Sequence, residues 1–140
     1  VFLTGIGSAI GFKITTKAAS GVLAEKPGMF GKLLILQALP STNGIYGFLI
    51  AILILIQDGM PLGGALATGQ SIDGMTYFLA ALPVGIVGLV AGIVQAKAAA
   101  SAIYMTGKRP ELAARGIVMA SMIETYPLIA VLVSVLIIFS

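Results

Sequence analysis

Four apolar runs, each at least as long as a bilayer is thick, leave this chain little freedom of fold. A hydrocarbon core of about 30 Å takes roughly 20 apolar residues to cross as a helix. The runs cover residues 1–23, 29–56, 75–104 and 113–140. The second and third exceed the minimum, so they tilt or project beyond the lipid. Composition leads to the same place. The chain is 59% hydrophobic and 9% charged, against about 25% charged in a soluble domain, which is too little to cover a water-facing surface. Val1 already lies inside the first run, so a few preceding residues, including an initiator Met, are expected. Nothing at the start has the basic stretch and small-residue cleavage site of a signal peptide.

The connections group the runs in pairs. Residues 24–28 (AEKPG) and 106–112 (TGKRPEL) read as tight turns with Pro and charge, and residues 57–74 as a longer Gly-rich connection. The expected fold is therefore an all-α membrane protein. Its four transmembrane helices form two tandem helical hairpins, residues 1–56 and 75–140. All eight basic residues flank the tight turns: Lys13, Lys17, Lys26 and Lys32 at the first, Lys97, Lys108, Arg109 and Arg115 at the second. The middle connection has Asp58 and Asp73 and no basic residue. The positive-inside rule places both turns in the cytoplasm and the termini on the other side. The net charge of +3 thus reflects topology and snorkelling lysines, with no nucleic-acid surface.

The hairpins resemble each other. The interval from Pro27 to Pro110 also carries Ser41-Thr42 onto Glu124-Thr125. Both hairpins point the same way, so the repeat is parallel, unlike the inverted repeats of many secondary transporters. The first and third runs carry small residues at close spacing: Gly5, Gly7, Gly11, Ala18, Ala19 and Gly21, then Gly88, Gly92, Ala96 and Ala100. Such ladders let helices approach closely. They point to an inner layer in an oligomeric ring, with the bulkier second and fourth runs outside.

Of five acids, Glu25, Glu111, Asp58 and Asp73 lie in or beside connections, and Glu124 alone is deep in a run. A charge there costs on the order of 2.5–3.5 kcal/mol on insertion scales, so the acid is protonated, paired or holding a cation. At about 1.5 Å per residue it lies roughly 16 Å from the turn end of its run. Gln95, Thr42 and Asn43 reach a similar depth on the third and second runs, with Ser41 and Thr125 nearby. Oxygen donors suit a hard cation. Pro40 and Pro127 are expected to bend their helices at this level and free backbone carbonyls. The chain has no Cys or His, which removes thiolate metal sites and the usual general base.

Leu36-Gln-Ala-Leu-Pro-Ser-Thr-Asn-Gly-Ile-Tyr-Gly47, Gly92-Ile-Val-Gln-Ala-Lys97 and Ile123-Glu-Thr-Tyr126 resemble the second, third and fourth helices of the V-type ATPase proteolipid, which forms the membrane rotor ring. The resemblance covers essentially the whole chain and is nearest to the bacterial sodium-pumping branch. It implies a bacterial plasma membrane protein that binds Na+ through the Leu39 carbonyl, Thr42, Asn43, Gln95 and Glu124, with Tyr46 hydrogen-bonded to the acid. Asn43 departs from the Gln usual in that branch and is one methylene shorter. The implied partners are further copies in a ring, a stator subunit of the a/I type, the central stalk and lipid. ATP hydrolysis belongs to other subunits, and the chain has no P-loop motif. Proton coupling within the same family remains open, as does a small proton-coupled secondary transporter. A structural proteolipid without transport leaves Glu124 unexplained.

Overall fold

Proline punctuates this chain at its turns, and the backbone follows. A computed structural model describes residues 1–57 and 74–139. The expected middle connection, with Asp58 and Asp73, falls outside them apart from its end residues. Among the described residues every regular element is helical. The first span is α1, Phe2–Glu25. The second opens with a 3-10 turn, Pro27–Met29, and continues as α2, Phe30–Ala38. A second 3-10 turn, Leu39–Ser41, leads into α3, Thr42–Gln57. The third span is a single helix, α4, Gly74–Lys108. The fourth repeats the plan of the second: a 3-10 turn Pro110–Leu112, α5 (Ala113–Ser121), a 3-10 turn Met122–Glu124 and α6 (Thr125–Ile138).

The tight turns are shorter than the sequence led us to expect. Only Lys26 and Arg109 separate the helices, with φ of −135° and −136°. Each precedes a proline, whose ring drives the preceding residue out of the helical region into extended backbone. Lys26 Nζ donates to the Gly107 carbonyl at 2.6 Å and Lys32 Nζ to the Pro110 carbonyl at 3.5 Å. The first hairpin thereby supplies donors to carbonyls at and just beyond the end of α4, where the helix itself has none.

Among the described residues, three helical stretches are long and apolar enough to cross a membrane: Pro27–Ile56, Gly74–Lys108 and Pro110–Ile138. The first span differs from the other three. At 24 residues α1 is long enough, about 36 Å, but Lys13, Lys17 and its threonines dilute its apolar character. It packs on α4 along most of its length, and α4 also touches α3, α5 and α6.

The α1–α4 contact is parallel and close. Gly7 faces Gly88 and Leu89, Gly11 faces Gly92 and Ala96, and Val22 faces Gly107. A Cβ on Gly7 would lie 2.7 Å from the Leu89 backbone, and one on Gly92 2.8 Å from that of Gly7. Gly5 and Gly21, read from sequence as part of the ladder, are exposed and off the contact. Two apolar clusters fill the interior. Leu33, Leu36, Ala99, Ile103 and Ala120 form one toward the turns, and Ile50, Ala80, Val84 and Ile138 form the other toward the far end. A polar layer lies between them.

Gly7→Ala puts a methyl against backbone that cannot yield, so it is expected to destabilise the helix pair by about 1–3 kcal/mol. Gly31→Ala has nothing within 4 Å and should be neutral or slightly stabilising. Thermal unfolding of the detergent-solubilised protein makes the comparison, and equal midpoints for the two variants would contradict the close contact.

Candidate functional site

The polar layer forms where two spans lose their α-helical hydrogen bonding. The breaks, Leu39–Ser41 and Met122–Glu124, stand at equivalent places in the two hairpins. Pro40 lies within the first and has no N–H for the Leu36 carbonyl; Pro127 follows the second and has none for Ile123. The α-helical pattern is therefore interrupted where the prolines led us to expect a disturbance, although the two prolines occupy different positions. Proline alone does not decide the matter, since Pro83 sits inside α4 without interrupting it.

Helix α1 supplies part of what the first break lacks. Thr15 Oγ1 lies 3.4 Å from the Gln37 carbonyl. Ser8 Oγ accepts the Gly44 N–H at 2.8 Å and lies 3.5 Å from the Ser41 carbonyl. These hydroxyls replace neighbours that a continuous helix would provide.

Thr42, the first residue of α3, then meets Glu124, the last of the opposite 3-10 turn. Thr42 Oγ1 lies 2.8 Å from Glu124 Oε1 and 2.8 Å from the Leu39 carbonyl oxygen. Gln95 Nε2, from α4, donates to the same Glu124 oxygen at 3.1 Å. Asn43 Nδ2 donates to Gln95 Oε1 at 2.9 Å. Asn43 and Gln95 are fully buried, while Thr42 and Glu124 are half-buried. One connected network thus joins Leu39, Thr42, Asn43, Gln95 and Glu124 across three spans. Asn43 Oδ1 is buried and has no hydrogen-bond partner among the described residues.

The remaining expected residues lie at the margin. Tyr46, one turn along from Thr42, hydrogen-bonds the Thr42 side chain and feels Glu124 only as a nearby charge. The expected Tyr46–Glu124 hydrogen bond is replaced by one to Thr42, the nearer residue on the same helix face. Ser41 meets Ser8 through its backbone carbonyl. Thr125 is not brought in: it is exposed, and its hydroxyl turns back to the Met122 carbonyl at 3.0 Å. Being next to the acid along a helix carries a side chain about 100° around the axis, which takes Thr125 off the network. Ser8 escaped the sequence reading because it sits in a glycine ladder and looks like one more small residue. Asking where the first N–H groups of α3 find acceptors could have found it.

Proton counting limits what the network can hold. Thr42 has one hydroxyl hydrogen and two acceptors within reach. Both contacts are satisfied together when Glu124 carries a proton, donates it to Thr42 Oγ1, and Thr42 donates to Leu39. An ionised Glu124 takes the Thr42 hydroxyl hydrogen and leaves the Leu39 carbonyl with the Thr42 backbone N–H alone. Among the described residues there is no cluster of three His, Cys, Asp or Glu. A cation here would be held by one carboxylate and neutral oxygens, a set that a single positive charge would neutralise.

The family of the ATP synthase C subunit matches residues 1–54 and 78–137. The chain is 41% identical over 137 residues to the V-type sodium ATPase subunit K of Enterococcus hirae, covering 98% of this chain and 83% of that protein. It is 40% identical over 130 residues to the A-type ATP synthase subunit K of Methanocaldococcus jannaschii, covering 93% of this chain and 56% of that relative.

Gln95→Ala removes the acceptor of Asn43 Nδ2 and a donor to Glu124 in one change. It is expected to cost about 1–3 kcal/mol, the usual cost of a buried polar group left unpaired. Thr125→Val, off the network, should change stability by less than about 0.5 kcal/mol. Denaturation of both variants in the same detergent tests the assignment, and a Gln95→Ala protein as stable as the parent contradicts it.

Proposed function

The chain belongs to the family of the ATP synthase C subunit, as a rotor proteolipid of the V- and A-type ATPases, and from that premise we propose that it carries Na+ across the membrane on Glu124. The buried Asn43 Oδ1 carries the choice of ion. An acceptor without a donor in a membrane interior is costly, and this one is linked through Gln95 to the only acid deep in a span. A cation satisfies it where a proton on Glu124 does not. The Glu124 carboxylate, Thr42 Oγ1, the Leu39 carbonyl and Asn43 Oδ1 supply hard oxygen donors. Gln95 adds Oε1 once its amide turns over, since Nε2 now faces Glu124. A monovalent ion and one carboxylate sum to zero, so the loaded site can face lipid without a bare charge.

Transport then follows from rotation of a homo-oligomeric ring. Each neutral, loaded Glu124 travels through lipid to the stator subunit of the a/I type. There an aqueous path and a stator Arg allow the ion to leave and another to enter. The central stalk couples the turning ring to ATP hydrolysis in other subunits. The basic turns lie on the cytoplasmic side of a bacterial plasma membrane, and α1 and α4 form the inner wall. The sodium ATPase relative supports the ion, and the clustering of all eight basic residues around the turns supports the orientation.

Proton transport is the second reading. The Glu124–Thr42–Leu39 chain, which has a place for one proton, favours it. Carbodiimide separates the two readings because it attacks the protonated acid. Na+ is expected to protect Glu124 from modification at neutral pH, and protection should fade as the pH falls and protons displace the ion. An intact ring that Na+ fails to protect at any pH is a proton ring. Glu124→Gln keeps an Oε1 acceptor for Thr42 and Gln95, so it should insert and assemble while transport and coupled ATPase activity are lost. Transport retained by that variant would remove Glu124 from the role.

A further inference from the structure

We infer that Ser8, on the first span and outside the ion-ligand set, is a positioning residue that holds Thr42 and Asn43 at the angle from which they meet Glu124 and Gln95. The inference rests on the reading of Glu124 as the ion carrier. Helix α3 begins at Thr42, directly after a 3-10 turn. The first N–H groups of a helix have no partner within it and need an acceptor from outside. Gly44 finds one on another helix: its N–H donates to Ser8 Oγ at 2.8 Å. The same hydroxyl, at 3.5 Å, has the Ser41 carbonyl as acceptor for its own hydrogen. Ser8 therefore caps α3 from α1 through its 2.8 Å bond to Gly44, with the Ser41 carbonyl, on the other side of Thr42 and Asn43, at the limit of hydrogen-bond reach.

The contact with Gly44 is close and well anchored. A Cβ on Gly44 would stand 3.2 Å from Ser8 Oγ, so the segment lies close against α1. Ser8 itself follows Gly7, whose approach to the α4 backbone leaves no room for a side chain. Gln95, the α4 member of the network, stands just beyond Gly92, which packs on Gly7 and Ser8 from the other helix. One short stretch of α1 thus refers both Thr42–Asn43 and Gln95 to a common backbone contact. Loss of the hydroxyl frees the first turn of α3 to rotate, which moves Thr42 Oγ1 and Asn43 Oδ1 relative to Glu124 while the glycine contact stays intact.

The test measures carbodiimide modification of Glu124 in the assembled ring of Ser8→Ala, with and without Na+. The concentration of Na+ giving half protection should rise about ten-fold, or about 1.4 kcal/mol. In Na+-free buffer, modification should be about two-fold faster or more, since the acid loses a well-placed hydrogen-bond partner. Unchanged protection and rate would overturn the inference. Should Ser8→Ala not assemble, Ser8→Thr and Ser8→Val, equal in shape, decide it: Thr is expected to restore parental protection and Val to require more Na+. Identical behaviour of that pair overturns the positioning role. Should Na+ not protect the parent at all, the sodium reading fails alone, and the modification rate in Na+-free buffer still judges Ser8.

Discussion

The backbone contact between α1 and α4 sets the geometry on which everything else here depends. Gly7 and Gly11 meet Gly88 and Gly92 with no side chain between them. In lipid there is little hydrophobic drive to bring helices together, so close van der Waals packing carries more of the association. The contact fixes the depth of Gln95 on one helix and of Ser8 on the other. It brings α1 against the broken second span, so that a hydroxyl reaches the first turn of α3. The ladder thus indexes two polar groups to one level as well as holding two helices together.

The two hairpins share one backbone plan and use it differently. Each has a 3-10 turn after its tight turn and another at mid-span. The first hairpin contributes Leu39, Thr42 and Asn43; the second contributes Gln95 and Glu124. Thr42 and Thr125 occupy equivalent positions, yet one hydroxyl reaches the acid and the other faces outward. Neither hairpin holds the whole network, which closes only when the two are folded against each other.

Much of this was legible in the residues. Apolar run length picked out the three stretches that are long and apolar enough to cross a membrane, while α1, read as a fourth such run, falls short in apolar character. Glu124 stood out because a mid-span carboxylate is costly without a purpose, and counting residues from each turn brought Gln95, Thr42 and Asn43 to its level. Counting along a helix gives depth more reliably than it gives direction, and Thr125 was misjudged for that reason. The hydroxyl of Ser8 was invisible because its role depends on a break in a different helix. The dilution of α1 by Lys13 and Lys17 was visible, and its consequence emerged only when the helix was seen packed along α4.

One acid served by two hairpins has a consequence for gearing. With Glu124 in its proposed role as ion carrier, each full turn of a ring of such chains would move as many ions as there are copies of Glu124, half the number of hairpins around the circumference. The work released by a fixed number of ATP molecules per turn is then divided among fewer ions. Each ion can be driven against a correspondingly steeper gradient, and run in reverse the same wheel needs that steeper gradient to make ATP. The outward-facing Thr125, beside the acid and taking no part in its network, belongs to a hairpin that must borrow its neighbour's oxygens. On the proposed role of Glu124, that arrangement would give the rotor fewer, harder-driven ions per turn.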